Sequence, residues 1–118
     1  MKTVYADLLR EIMRMPGVRG AIVVAVRDGL VVDGRVHVGI RSDAVAALAA
    51  SLFQRALRST ETGREERRFV ELEADRGRIM MAGEGELALM AILEPRANAG
   101  QARLAIQRAA TALAGGGG

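Results

Sequence analysis

Val18 to Val26 reads VRGAIVVAV, and its last six residues, Ala21 to Val26, are apolar without interruption. A half-exposed strand alternates polar with apolar residues, and an amphipathic helix leaves polar gaps every three or four positions. A short unbroken run rich in β-branched residues instead fits a strand covered on both faces, which predicts a central strand. Leu87 to Leu93, LALMAIL, repeats the pattern late in the chain. Two such strands imply a sheet with covering layers on both sides.

Toward the N-terminus, Lys2 to Arg14 reads as an amphipathic helix capped by Thr3. Tyr5, Leu8, Leu9, Ile12 and Met15 form the apolar stripe; Asp7, Arg10, Glu11 and Arg14 lie opposite as two i,i+3 ion pairs. Pro16-Gly17 stops it. On the other side of the central run, Asp28-Gly29 is a hairpin signal, because a tight turn demands positive φ. Leu30-Val31-Val32 returns as an edge strand, and Asp33-Gly34 suggests either a bulge or a second turn before Val36 to Val38. His37, the single histidine, alternates with valines and is expected to face solvent, with no second ligand type beside it.

Ile40 to Ser59, IRSDAVAALAASLFQRALRS, predicts a helix with Ser42 as N-cap and Asp43 in the first turn. Val45, Leu48, Ala49, Leu52, Phe53, Ala56 and Leu57 follow helical spacing. Ala44, Ala46, Ala47 and Ala50 fill the other side, with nothing polar before Ser51 and Gln54. A helix apolar nearly all round is buried on more than one face, and a chain of 118 residues has little left to cover both. The second cover is therefore expected from another molecule, against the plainer reading that alanine is merely the best helix former.

After a loop at Ser59 to Gly63, Arg67 to Ala74 alternates, with Val70, Leu72 and Ala74 facing a core and Phe69, Glu71 and Glu73 exposed. Asp75-Arg76-Gly77 turns the chain into a strand over Arg78 to Ala82, and Gly83 to Glu86 turns it into Leu87 to Leu93. Pro95 ends that strand. Asn98 caps a last helix whose buried stripe is Ala102, Ile106, Ala109 and Leu113. The expected order is α-β-β-α-β-β-β-α, an α+β domain over residues 1–114, and Gly115 to Gly118 form a tail with no reason to order.

Composition narrows the function. With no cysteine, a disulfide frame, a thiolate metal site and a cysteine nucleophile are all excluded, and a reducing, cytoplasmic setting fits. No run reaches the roughly 18 consecutive apolar residues of a membrane span. The net charge of +3 and isoelectric point near 10.5 invite a nucleic-acid partner. That reading fails on distribution, because Arg and Glu are interspersed, as at Arg64 to Arg68, and one Tyr and two Phe cannot form a stacking platform. Arg96, Arg103 and Arg108 are unopposed by any acid after Glu94, and read as a solvated face.

No catalytic constellation is visible, and no cofactor or metal is expected. Gly83-Glu84-Gly85 lacks the Lys-Ser/Thr ending and following helix of a phosphate loop. Glu71 and Glu73 share a strand face but show no sign of desolvation. Met80, Met81 and Met90 read as core fillers.

Several strings in order resemble the Roadblock domain family of dynein light-chain type, whose bacterial branch includes MglB-like partners of small Ras-like GTPases. These are the helix followed by Pro16-Gly17-Val18-Arg19-Gly20-Ala21, the Asp28-Gly29-Leu30 hairpin, the alanine-rich helix from Asp43, and Gly77-Arg78-Ile79. To them belongs the run Leu87 to Leu93 leading into Pro95, Ala97-Asn98-Ala99-Gly100 and Arg103. The resemblance spans Thr3 to Leu113 and implies a profilin-like five-stranded antiparallel sheet in the order 2-1-5-4-3, with the outer helices on one face and the middle helix on the other. It also implies a homodimer, in which third strands pair edge to edge through Phe69, Val70, Glu71, Leu72 and Glu73. The middle helices would then meet near Val45, Leu48, Ala49, Leu52 and Phe53, with Arg55 and Arg58 nearest to a bound GTPase. Members of the family are non-enzymatic platforms, and MglB-like ones stimulate GTP hydrolysis by repositioning the GTPase without an arginine finger.

Three functions are therefore weighed: a homodimeric regulator of a Ras-like GTPase, a dimeric scaffold or adaptor with no effect on hydrolysis, and a monomeric small-ligand sensor. Scant aromatics and few convergent polar groups count against the sensor.

Overall fold

A computed structural model describes residues 5–37, 39, 41, 45, 47–48, 50–51, 54–55 and 67–116. The N-terminal helix is Ala6–Met13. The strands are β1 (Val18–Ala25), β2 (Leu30–Val36), β3 (Arg67–Ala74), β4 (Gly77–Glu84) and β5 (Leu87–Leu93), and the C-terminal helix is Ala99–Gly116. Between β2 and β3, Val45, Ala47, Leu48, Ala50, Ser51, Gln54 and Arg55 are helical. All five strands form one antiparallel sheet in the order β2-β1-β5-β4-β3, the order that the resemblance implies.

The two apolar runs lie where their patterns predict. β1 pairs with both β2 and β5, and β5 with both β1 and β4, so each is flanked on both edges. Their alternate residues serve two separate cores. Ala21, Val23, Leu89, Ala91 and Leu93 meet Leu9 and Ile12 of the N-terminal helix and Ile106 and Leu113 of the C-terminal helix. Ile22, Val24, Ala88 and Met90 face the other way, where Val45 and Ala50 join them. Both faces are thus covered, with the terminal helices on one and the middle helical segment on the other. Met80 goes to the first core and Met81 and Met90 to the second, all fully buried, as core fillers should be.

The helix ends follow local chemistry. The N-terminal helix starts at Tyr5 with no side-chain cap, while the expected cap, Thr3, lies outside the described residues. Of its two expected ion pairs, Asp7–Arg10 forms at 3.3 Å and Glu11–Arg14 does not. Gly17, at φ +87°, swings the chain into β1. At the C-terminal helix, Asn98 Oδ1 accepts from Gln101 N at 3.0 Å, the N-cap bond that the sequence predicts.

One alternative is decided and two expectations are corrected. Asp33-Gly34 is no turn: β2 continues to Val36, and the register slips where Val23 faces Asp33 but Val24 faces Val31. Val32 is the extra, bulged residue, so the bulge alternative holds. In β3 the outer face is not simply exposed, because Phe69 packs against the core under the terminal helices while Val70 packs against the other. The turn after β3 is only Asp75-Arg76, since Ala74 pairs directly with Gly77. His37 is exposed, as expected, and its backbone N–H donates to Arg19 O at 3.0 Å.

Candidate functional site

β3 is an edge strand of eight residues. One rail of its backbone bonds β4 from Arg67↔Glu84 to Ala74↔Gly77; among the described residues, nothing bonds the other. An open rail is the place where another strand can add, and proteins usually blunt it with bulges or charges. β2, the opposite edge, has its bulge; β3 is paired in unbroken register along its whole length.

The side chains of β3 are held from within. Glu73 lies directly opposite Arg78 and Glu71 diagonally across, and both reach it: Glu71 Oε2 to Arg78 Nη1 at 3.4 Å, Glu73 Oε1 to Arg78 Nη2 at 3.3 Å. The Arg78 and Glu71 side chains are only 19% and 27% exposed, so this pair is largely desolvated, whereas Glu73 at 68% is mostly in water. One guanidinium thus ties two carboxylates that would otherwise repel, which is a structural use for the pair. Above Phe69, the Arg103 guanidinium lies 4.3 Å from the ring centroid, a cation–π contact from the C-terminal helix. Arg103 is therefore not merely one member of a solvated row.

The second part of the candidate surface is the middle helical segment. Val45 is half-buried against the same core as Val70, whereas Leu48 is 60% exposed and Ala47, Ser51 and Arg55 also face solvent. Leu48 thus gives this segment an outward apolar position, and Arg55 is exposed on the same segment. Ala49, Leu52, Phe53 and Arg58 lie outside the described residues. Sequence reasoning missed how this segment is anchored. Gln54 Nε2 donates to Val26 O and also to Arg27 O, the latter at 3.0 Å, so the amide spans the outgoing end of β1 and its turn. Gly29, at φ +70°, closes that turn, and a Cβ there would stand 3.4 Å from Ala47 Cα and 3.5 Å from Ala50 Cβ. The only hint in the sequence is that Gln54 is among the first polar residues after a long alanine run.

The remaining chemistry is sparse. Gly83-Glu84-Gly85 belongs to the β4–β5 hairpin, with Gly85 at φ +80°. Among the described residues, no cluster of three or more His, Asp or Glu side chains is placed to hold a metal ion. No helix among them is long and apolar enough to cross a membrane.

Comparison with known proteins agrees with this geometry. Residues 4–94 match the family model described as the Roadblock/LC7 domain. An uncharacterised protein of Methanocaldococcus jannaschii is 32% identical over 104 residues, covering 87% of each chain. Among solved structures, a Roadblock/LC7 domain from Streptomyces avermitilis superposes with a TM-score of 0.75 at 19% identity, covering 92% of this chain and 93% of that one. An MglB with a tetrameric arrangement superposes at 0.74 with 23% identity, covering 97% and 90%.

Proposed function

The chain belongs to the Roadblock/LC7 domain family, and on that premise we propose that it is a non-enzymatic, homodimeric binding platform and regulator for a small Ras-like GTPase. The observation that carries the proposal is the open rail of β3, eight residues in unbroken register with β4 and lacking any bulge to discourage further pairing. Two copies joined there would share one ten-stranded sheet, and the middle helical segments, which lie on the same face, would come side by side. Leu48, exposed in the single chain, gains cover in that arrangement. The solved MglB with a tetrameric arrangement lends support as a similar fold that assembles. The helix-covered platform, with Arg55 exposed on it, is the surface proposed for the GTPase; Arg58 belongs to the same surface on the sequence reading.

Light scattering after gel filtration tests the dimer. A mass near twice 12.5 kDa at micromolar concentration is expected, shifted toward monomer by Leu48→Glu; a monomeric wild type overturns the proposal. Single-turnover GTP hydrolysis by Ras-like GTPases of the same organism, with and without the protein, tests regulation. Binding with an unchanged rate leaves a scaffold or adaptor as the function.

A further inference from the structure

β3 carries its charges in order. Arg67 and Arg68 open the strand, and Glu71 and Glu73 lie in its second half. β4 supplies one opposite charge to each half, with Glu84 in register with Arg67 and Arg78 in register with Glu73. The other paired positions of the two strands are uncharged. The first half of this ribbon, with Arg67, Arg68 and Glu84, therefore has a formal charge of +1, and the second half, with Glu71, Glu73 and Arg78, one of −1.

The surplus negative charge is free to act outward. Arg78 meets Glu71 at 3.4 Å and Glu73 at 3.3 Å, but the Glu71 side chain is 27% exposed and that of Glu73 68%. An ion pair in water is weak, so Glu73 can turn from Arg78 to another guanidinium at little cost while Glu71 keeps Arg78. Main-chain bonds along the open rail would accept any strand; side chains have to supply the choice.

A second copy of β3 added antiparallel about a two-fold axis sets the first half of each strand against the second half of the other. With the axis at Val70, Arg67 of one copy lies opposite Glu73 of the other, and symmetry repeats the pair. A parallel copy would set like halves together. An edge strand of one charge sign, or of none, matches at most one half. β2 of another copy offers a rail broken by its bulge at Val32.

We propose that this charge order makes β3 selective for its own copy, with Arg67 and Glu73 as the specificity-determining residues of the pairing. The inference rests on the dimer proposed above and goes beyond it, because it states which strands the edge refuses.

The test uses the full chain at micromolar concentration and native mass spectrometry, with one copy isotope-labelled in every mixture. Arg67→Glu and Glu73→Arg, each alone, turn two attractive pairs into two repulsive ones and should weaken self-association about tenfold. Their equimolar mixture should regain dimers of mixed mass, because opposite charges again meet at both places; two misfolded variants could not do this. The double variant Arg67→Glu/Glu73→Arg reverses the order, so it should pair with itself and exclude the wild type. Single variants as dimeric as wild type, a mixture that stays monomeric, or a double variant that exchanges freely with wild type overturns the proposal and leaves the dimer standing. A monomeric wild type overturns both.

Discussion

Arg103, on the C-terminal helix, holds its guanidinium 4.3 Å above the ring of Phe69 on the edge strand β3. The contact joins the last helix to an edge strand of the sheet. Because Arg103 is itself solvent-exposed, a double-mutant cycle of Arg103→Ala and Phe69→Leu should give a coupling energy of only about 0.5 kcal/mol by urea denaturation. A coupling of zero would show that the arrangement is incidental.

Gln54 makes a stronger claim, because its amide donates to two carbonyls of the turn that follows β1. Gln54→Ala should cost about 1 kcal/mol, the net worth of one or two neutral hydrogen bonds. Gln54→Glu should cost more at neutral pH, since a carboxylate has no proton to donate and sets its charge against two acceptors. Denaturant midpoints for the two variants decide this. Equal losses would mean that the amide acts by packing alone.

These two contacts also mark what the sequence could and could not disclose. The six-residue apolar run at Ala21 to Val26 announces a central strand because burial on both faces leaves no room for a polar residue, a constraint written locally. Asn98 as a cap and Asp28-Gly29 as a turn are local in the same sense. Phe69 and Glu71, by contrast, share a strand face, and alternation says only that this face differs from its neighbour. Its cover, Arg103, comes from a helix more than thirty residues on. Asp33-Gly34 permits a turn as readily as a bulge, and pairing with β1 makes the choice. The open rail of β3 is likewise a property of strand order, which no residue of β3 encodes.

Arg78 holds Glu71 and Glu73 unequally, and mutation should rank them. Arg78→Ala leaves the largely desolvated Glu71 carboxylate without its counter-charge and should cost about 2 kcal/mol. Glu73→Gln removes only the mostly exposed pair and should stay within about 0.5 kcal/mol of wild type. Thermal or urea denaturation measures both. A Glu73 variant as damaging as the Arg78 variant would contradict the assigned burial.

Gly17 combines a left-handed backbone, φ +87°, with a Cβ position only 2.6 Å from Ala97 Cβ. Gly17→Ala should therefore lose about 2 kcal/mol or more, from backbone strain plus overpacking. Adding Ala97→Gly removes the 2.6 Å collision but leaves Ala97 Cα at 3.0 Å and the backbone strain, so the double variant should recover part of the loss. Full recovery would assign the whole effect to the collision.

Two β3 strands in the proposed dimer can meet in several registers. Pairing about a two-fold axis perpendicular to the sheet puts residues of the same face opposite each other, so the axis position sets every pair. With the axis at Val70, Phe69 of one copy faces Glu71 of the other, and Arg67 faces Glu73, giving two opposite-charge pairs. An axis at Glu71 sets two Glu71 carboxylates against each other, and one at Leu72 sets Glu71 against Glu73 twice; like charges directly opposite are destabilising. An axis at Phe69 brings Arg67 opposite Glu71, in competition with the Arg78 pair already made at 3.4 Å. The Val70 register competes only with the mostly exposed Glu73–Arg78 pair, and it alone adds favourable charge pairs while leaving the largely desolvated Glu71 with Arg78. Under mild oxidation, Val70→Cys should therefore cross-link to itself in highest yield, with Phe69→Cys and Leu72→Cys lower, as read by non-reducing electrophoresis. A maximum at position 69 or 72 would move the axis, and no cross-linking at any of the three would remove the β3 edge from the dimer.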